Sequence, residues 1–216
     1  MRHPHGLRAA AAAGIPIGTS MGGGFFAGYI SQTANGVATH ALIVAPAATG
    51  ATGTGYTLTT NKQWKTANTA TAGTTSTYNG AANSANMNNA SHPAAQFCET
   101  LSIGGYSDWY LPARYELEIA YYNLKPTTAS NNTSHGINAY SVPARGSNYT
   151  AGTPAQTTVT AFQTGNSEAF VDDTHWSSTE HINTTTAWYM FFNTGQQNNN
   201  FKNASIRVRA FRKVAV

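Results

Sequence analysis

Histidines and carboxylates are the side chains of this sequence that could bind a metal ion. The seven histidines form no HxxxH or HExxH pair, the spacing that places two zinc ligands on one helix face. Asp172, Asp173 and Glu180 could hold a calcium ion, but their spacing is unspecific, and capping of loops is the favoured interpretation. We therefore expect no metal and no other cofactor.

The groups that could act as nucleophiles have no catalytic setting either. The single cysteine, Cys98, lies in HPAAQFCETLSIGG, where Phe97, Cys98 and Leu101 have the spacing of a buried helix face. This setting predicts an inert buried thiol. No serine stands in a GxSxG nucleophile elbow. We therefore expect that the protein is not an enzyme.

Composition limits the partners of the chain. Its 216 residues are 41% hydrophobic, enough for one large domain with a sizeable core. Only 9% are charged, and the net charge of +4 comes from scarce acids rather than abundant bases. Nucleic-acid binding is therefore not expected, and no apolar run reaches the length of a membrane span. A surface of Asn, Thr, Ser and Gln is typical of exterior proteins.

The N-terminal stretch MRHPHGLRAAAAAGIPIGTSM resembles a signal peptide in its two arginines and its alanine run, but the run is short and weakly apolar. We predict that residues 1–22 form an N-terminal arm held by a partner subunit, because free termini seldom become ordered. Residues 23–216 are predicted to form a single domain. GGGFFAGYISQ and GVATHALIVAP follow as two strands joined at Asn35-Gly36, a dipeptide that tight hairpins prefer.

The rest of the chain is predicted to contain two polar insertions, two helices and a final group of strands. Polar insertions are predicted near 47–90, with Trp64 as an anchor in the core, and near 127–170. A first helix starts at Ser91 or His92 and ends near Gly104-Gly105, and a second runs from Pro112 to Lys125-Pro126. From His175 the pattern is that of β-strands. This order predicts an α+β fold, with two helices packed on curled antiparallel sheets.

Three separated segments resemble one family in the same order. They are GGYSDWYLPARYELEIAY (104–121), HWSSTE (175–180) and AWYMFFNTGQ with IRVRAFRKV (187–214). They are similar to the DUF1566-type, Lcl C-terminal-like domains, which are related to the formylglycine-generating-enzyme branch of the C-type lectin fold. The resemblance implies a C-type-lectin-like fold. The lone helical Cys98 departs from the cysteine chemistry of the formylglycine-generating relatives.

Several residues of these segments are predicted to be structural. Trp109 lies in the compact turn between the two helices and is expected to fill the core there. Glu116 on the second helix and Arg209 on the last strand suggest a buried ion pair, with two solvated charges as the alternative. The complete predicted structural set is Trp64, Trp109, Glu116, Trp176, Trp188, Arg207 and Arg209.

The stretch NTGQQNNNFKN after the aromatic strand has two interpretations. Asparagine accepts positive φ, so the stretch could be a hairpin loop. The resemblance adds a second, because similar domains include variable proteins of diversity-generating retroelements, whose copying errors at adenines diversify Asn codons. We predict Trp188, Met190 and Phe192 as core and the other strand face as exposed. The predicted ligand-binding set is His181, Asn183, Tyr189, Phe191, Asn193, Gln196, Asn198, Asn200, Phe201 and Asn203.

The hairpin with GVATHALIVAP also resembles the start of such domains in phage structural proteins. The resemblance therefore implies a receptor-binding, adhesin-like domain on the exterior of a phage virion, at the tip of a tail fibre. It would recognise a host-surface glycan or protein and dock on virion subunits through its N-terminal arm, as a homo-oligomer with a trimer favoured. The alternative is a structural or decoration protein of the virion, in which the lectin-like fold packs subunits together. A bacterial surface adhesin is a third, disfavoured hypothesis.

Overall fold

A computed structural model describes residues 14–53 and 60–216. The strands are β1 (Ser20–Met21), β2 (Gly24–Ile30), β3 (His40–Val44), β4 (Lys62–Gln63), β5 (Ser141–Val142), β6 (Thr174–Glu180), β7 (Thr186–Phe191), β8 (Gln196–Phe201), β9 (Ser205–Ile206) and β10 (Phe211–Ala215). The helices are α1 (Ala47–Gly50), α2 (Gly80–Ala85), α3 (Pro93–Glu99) and α4 (Arg114–Leu124), with a 3-10 helix at Thr160–Phe162. The predicted α+β class is confirmed.

The larger sheet joins both ends of the described chain. β2 and β3 form the predicted antiparallel pair, and β10 pairs antiparallel with the other side of β3. Alternate residues of β3 enter two hydrophobic cores, one containing Ile43 with Trp109 and the other containing Leu42 with Tyr121. Burial on both faces explains why HALIV reads as a continuous apolar run instead of an alternating one.

The connection between β2 and β3 differs from the predicted tight turn. Residues 31–39 form a longer loop, in which Ala34 and Gly36 have positive φ values of 53° and 77°. The side-chain oxygen of Asn35 accepts hydrogen bonds from Ser31 Oγ (2.9 Å) and Val37 N (3.0 Å). Asn35 therefore shapes the loop through its side-chain acceptor and not through a left-handed backbone.

The two predicted helices form α3 and α4. α3 begins at Pro93, as its first-turn proline predicts, but it ends at Glu99, before Gly104-Gly105, and the Thr100 hydroxyl donates to Gln96 O at 2.9 Å. α4 begins at Arg114, two residues after the predicted start at Pro112, and ends before Lys125-Pro126, as predicted. Its apolar face is buried and contains Leu117, Ala120, Tyr121 and Leu124.

The described parts of the two insertions contain short elements. The segment 47–90 contains α1, β4 and α2, and β4 pairs with β9 near the C-terminus. Trp64 is fully buried there, and its indole N–H donates to Ser177 O at 2.9 Å. The segment 127–170 contains β5 and the 3-10 helix. Of the predicted N-terminal arm, residues 1–13 lie outside the described residues, and β1 in its last part pairs with β2.

The second sheet has the order β6-β7-β8 and corrects the prediction of a polar loop after the aromatic strand. The asparagine row is strand β8, which pairs along the whole of β7, from Thr186 opposite Phe201 to Phe191 opposite Gln196. The reversal between them ends at Gly195, with a φ of 73°. Pairing along a neighbouring strand outweighs the low intrinsic β-propensity of asparagine.

Candidate binding surface at the edge of the second sheet

The register of β7 and β8 sorts the predicted ligand-binding residues onto two faces. Tyr189 lies opposite Asn198, so these two side chains share one face. Trp188 lies opposite Asn199 and Thr186 opposite Phe201, so Phe201 belongs to the other face. Placing Phe201 with Tyr189 and Asn198 on one face was therefore wrong, because side chains along a strand alternate.

The structure also separates the predicted residues by exposure. Tyr189 is half-buried and packs against Trp176, with ring centroids 6.4 Å apart. Asn193 accepts a hydrogen bond from Thr127 Oγ1 at its backbone oxygen. The exposed members of the set are Asn183, Asn198, Asn200, Phe201 and Asn203, and the half-buried members are His181, Tyr189, Phe191, Asn193 and Gln196.

One end of this sheet presents apolar side chains to solvent. Ile182 in the β6–β7 turn is 93% exposed, and Phe201 at the end of β8 is 56% exposed. The hydrogen bond from Lys202 N to Thr185 O, at 3.2 Å, holds these two segments together. We call residues 181–185 with Asn198, Asn200 and Phe201 the sheet-end surface. It extends around the edge strand β8, with Phe201 on one face of that strand and the two asparagines on the other. Exposed apolar groups next to polar ones are typical of recognition sites.

The turn that carries Ile182 is held by its own polar side chains. Asn183 Oδ1 accepts hydrogen bonds from Thr185 N (3.2 Å) and Thr185 Oγ1 (2.9 Å), and His181 Nδ1 accepts from Asn183 N at 3.1 Å. The Thr186 hydroxyl donates to Asn183 O. The exposed isoleucine is thus displayed on a fixed turn, which lowers the entropic cost of binding.

β8 is the edge strand of the sheet, and its asparagines cover part of that edge. The backbone N–H of Lys202 donates to Thr185 O. In this register the even-numbered residues of β8 form the hydrogen bonds to β7. The N–H groups of Asn199 and Phe201 therefore point away from β7, towards the open edge of the sheet. Asn198 Oδ1 accepts from Asn199 N, and Asn200 Oδ1 accepts from Phe201 N, both at 2.8 Å. The side chains therefore satisfy donors that would otherwise attract another strand.

Trp188 lies between two basic groups beside the sheet-end surface. The Arg114 guanidinium lies 3.8 Å from its ring centroid, and the His181 ring packs edge-on at 4.8 Å. Arg114 Nε also donates to Gln197 Oε1. Trp188 was predicted as core, but it is half-buried and lies in neither main core cluster, whereas Met190 and Phe192 are buried. The start of α4, which carries Arg114, covers it instead.

Buried charges near the sheets are paired with other side chains. The predicted Glu116–Arg209 pair is wrong, although both residues are buried. Arg209 Nη2 pairs with Glu168 at 3.0 Å, while Glu116 accepts hydrogen bonds from Ala113 N, Gly80 N and Tyr110 Oη. Further pairs join Arg207 to Asp173, Lys202 to Glu180 (2.8 Å) and Arg212 to Asp108 (2.7 Å).

The most strongly shifted ionisable groups lie inside the protein. Burial raises the pKa of Glu116 to about 7, against the opposing effect of its hydrogen-bond donors. Burial lowers the pKa of His175 to about 3, and its ring packs among Phe170 and Phe192. Burial also raises the pKa of the Cys98 thiol. Side chains with such pKa values act as catalysts only where a substrate can reach them, and these three are buried.

The calcium candidates do not converge. Asp173 and Glu180 lie at opposite ends of β6, so the length of that strand separates them. Each is paired with a different cation, Arg207 and Lys202 respectively. In the described segments, 14–53 and 60–216, no three residues of the His, Cys, Asp or Glu types are grouped to hold a metal ion.

Sequence reasoning missed two contributors to this surface. The predicted ligand-binding set does not include Ile182, although it includes the neighbouring His181 and Asn183. Ile182 could have been found from the sequence, because a β-branched apolar residue lies there in a turn between two strands, where polar residues are usual. Arg114 has no comparable signal, because its contact with Trp188 joins residues far apart in the sequence.

The fold and this surface define a small α+β domain. The chain belongs to the Lcl C-terminal domain family, whose model matches residues 53–212. The match includes the three segments on which the resemblance rested, apart from the last two residues of the third. It excludes the β2–β3 hairpin. No curated protein matches the chain. Among the described residues, no helix is long and apolar enough to cross a membrane.

Proposed function

We propose that this chain is a non-enzymatic recognition domain that binds a host-surface glycan or protein through the sheet-end surface. The observation that carries the proposal is the exposure of Ile182 and Phe201 on two backbone segments that the Lys202 N–Thr185 O hydrogen bond joins, with the exposed amides of Asn198 and Asn200 along the same edge strand as Phe201. Apolar anchors supply binding energy and amides supply adaptable hydrogen bonds, the combination that binding loops use.

The absence of catalysis is part of this proposal. The carboxylates with a described partner serve the fold: Glu118, Glu168, Asp173, Glu180 and Asp108 hold cations in ion pairs. Glu116, the acid with a pKa near 7, is buried against backbone donors. A general acid or base must reach its substrate, and this supports a binding role.

We further propose that the domain is carried on the exterior of a phage virion, at the tip of a tail fibre, as a trimer docked through residues 1–22. The low charge and the polar, uncharged surface residues support an exterior location. On β8, the exposed side chains of Asn198 and Asn200 are positions where residues encoded by diversified Asn codons would meet a ligand. Diversification at these codons is part of the same proposal.

The test compares variants of the sheet-end surface with a matched control. Fluorescently labelled full chain is incubated with a panel of intact Gram-negative and Gram-positive bacterial cells, as wild type and as Ile182→Ser or Phe201→Ser. Loss of either anchor is expected to reduce binding at least roughly tenfold, as removal of a buried apolar side chain does. Val37→Ser, at a residue 64% exposed in the β2–β3 loop, is expected to bind like wild type.

Equal binding by all variants would refute the sheet-end surface as the recognition site. The same experiment also tests the alternative, in which the surface joins subunits of the virion. If no cells bind, and Phe201→Ser dissociates an assembly that the wild-type chain forms with itself, the surface is a subunit contact, and the decoration role replaces receptor binding.

A further inference from the structure

A cleft separate from the sheet-end surface lies beside the C-terminal half of α4. It consists of two adjoining hollows of about 500 and 250 Å³ that share Tyr122 and Thr153 in their walls. The larger is bounded by Pro16, Asn123 and residues 153–155 and 157–159, and the smaller by residues 145–150. These volumes are in the range of small-molecule sites. No residue of the sheet-end surface lines either hollow.

The walls offer hydrogen-bonding groups that the described residues leave unused. Within residues 14–53 and 60–216, the side chains of Ser147, Asn148 and Thr158 make no hydrogen bond, and neither does the Thr153 hydroxyl. Ser147, Asn148, Thr153 and Thr158 are all exposed. The cleft thus presents hydroxyls that donate and accept, together with one amide.

The frame of the cleft is fixed from beneath. Asn131 Nδ2 donates to Thr150 O (3.0 Å) and Pro154 O (2.9 Å), and Lys125 Nζ donates to Asn131 Oδ1 at 2.7 Å. Lys125 and Asn131 are both buried. A wall held by buried hydrogen bonds is preorganised, so a ligand would not have to order it.

The cleft carries no unpaired charge. Arg145 is the only charged residue among the described residues that line it, and its guanidinium pairs with the buried carboxylate of Glu118. The same guanidinium lies 4.1 Å from the ring centroid of Tyr122. Tyr149 at the back of the smaller hollow donates its hydroxyl to Glu118 at 2.6 Å. An ionic ligand would find no free counter-charge here.

From this combination we infer that the cleft is a binding site for a neutral saccharide, independent of the sheet-end surface. Hydroxyls and an amide on a fixed frame match the hydroxyl groups of a sugar, and the half-buried ring of Tyr122 supplies amphipathic surface for its C–H face. The absence of free charge favours neutral sugars over acidic ones.

The test is ligand-observed NMR on the full chain with glucose, galactose, mannose, N-acetylglucosamine and their disaccharides. Asn148→Ala alters the smaller hollow, Thr158→Val alters the larger, and Thr128→Val is the matched control at an exposed threonine outside the cleft. At least one neutral sugar is expected to give a saturable signal. Each cleft variant is expected to weaken its binding roughly tenfold, the loss of one hydrogen bond to a ligand, while Thr128→Val leaves the Kd unchanged.

Two results would overturn the inference. One is that no neutral sugar of the panel gives a saturable signal. The other is a sugar whose Kd is unchanged in both cleft variants. Phe201→Ser keeps the two sites distinguishable: if it alone abolishes sugar binding, the sugar site is the sheet-end surface, and the cleft inference fails while the proposed function stands.

Discussion

The side-chain oxygen of Asn200 accepts a hydrogen bond from the backbone N–H of Phe201 at 2.8 Å, and Asn198 does the same for Asn199. These donors lie on the open edge of β8, where an unpaired N–H would invite pairing with another strand. The asparagine row thus combines two properties. Its amides are exposed for contact with a ligand, and they occupy the edge donors that would promote self-association.

Removing both edge acceptors is expected to cause self-association. In the double variant Asn198→Val/Asn200→Val, the N–H groups of Asn199 and Phe201 lose their partners and the strand gains β-propensity. We expect a larger mass than that of the wild-type chain by size-exclusion chromatography with light scattering. The matched control Asn198→Asp/Asn200→Asp keeps an oxygen acceptor and adds charge, so it should keep the wild-type mass. An unchanged mass in the valine variant would show that these bonds do not protect the edge.

Breaking the buried ion pair of Lys202 is expected to destabilise the fold. Lys202 Nζ lies 2.8 Å from Glu180 Oε2, and the Lys202 side chain is fully buried. Lys202→Met leaves the Glu180 carboxylate buried without its cation, which costs about 3 kcal/mol in the free energy of unfolding. Urea denaturation monitored by circular dichroism measures the loss.

Two further variants identify the cause of that loss. Lys202→Met/Glu180→Gln removes the unpaired charge and should recover part of the stability. Lys62→Met, at a half-buried lysine for which the structure shows no ion pair, should cost less than about 1 kcal/mol. If the double variant is no more stable than Lys202→Met, loss of the cation–π contact between the Lys202 ammonium and the Trp64 ring explains the destabilisation, and the stranded charge does not.

The stability of the protein is expected to depend on the ionisation of His175 in acid. Burial holds its pKa near 3 in the folded state, with Arg207 and Arg209 adding to the shift and Asp173 opposing it. Below pH 6.5 the unfolded chain binds a proton at this histidine and the folded chain does not. The free energy of unfolding therefore decreases by up to about 1.4 kcal/mol per pH unit as the pH falls from 6.5 towards 3.

His175→Phe removes the pH dependence of stability that His175 contributes. The variant keeps the other titrating groups, among them His92 with its lowered pKa and Glu116 with its raised pKa. The free energy of unfolding of the variant, relative to wild type, should increase as the pH is lowered from 7 to 4. Chemical denaturation at each pH gives this difference. A difference that stays constant with pH would mean that the pKa of His175 is the same in the folded and the unfolded state.

Local sequence patterns predicted the elements whose cause is local. Pro93 and Lys125-Pro126 marked the start of α3 and the end of α4, because proline fits a first helical turn and stops a helix. The β pattern that begins at His175 predicted β6. For the asparagine stretch, the tolerance of asparagine for positive φ favoured a loop, and pairing with β7 makes it a strand.

The sequence by itself determined the α+β class, the family and the residue types available for binding, since these depend on periodicity, on turn residues and on motifs that lie close together along the chain. Only the tertiary structure decided which partners the buried charges take. Arg209 pairs with Glu168 and not with Glu116, and Arg114 covers Trp188. Such contacts join residues far apart in the sequence, and their geometry follows from how helices and sheets pack, which no local pattern encodes.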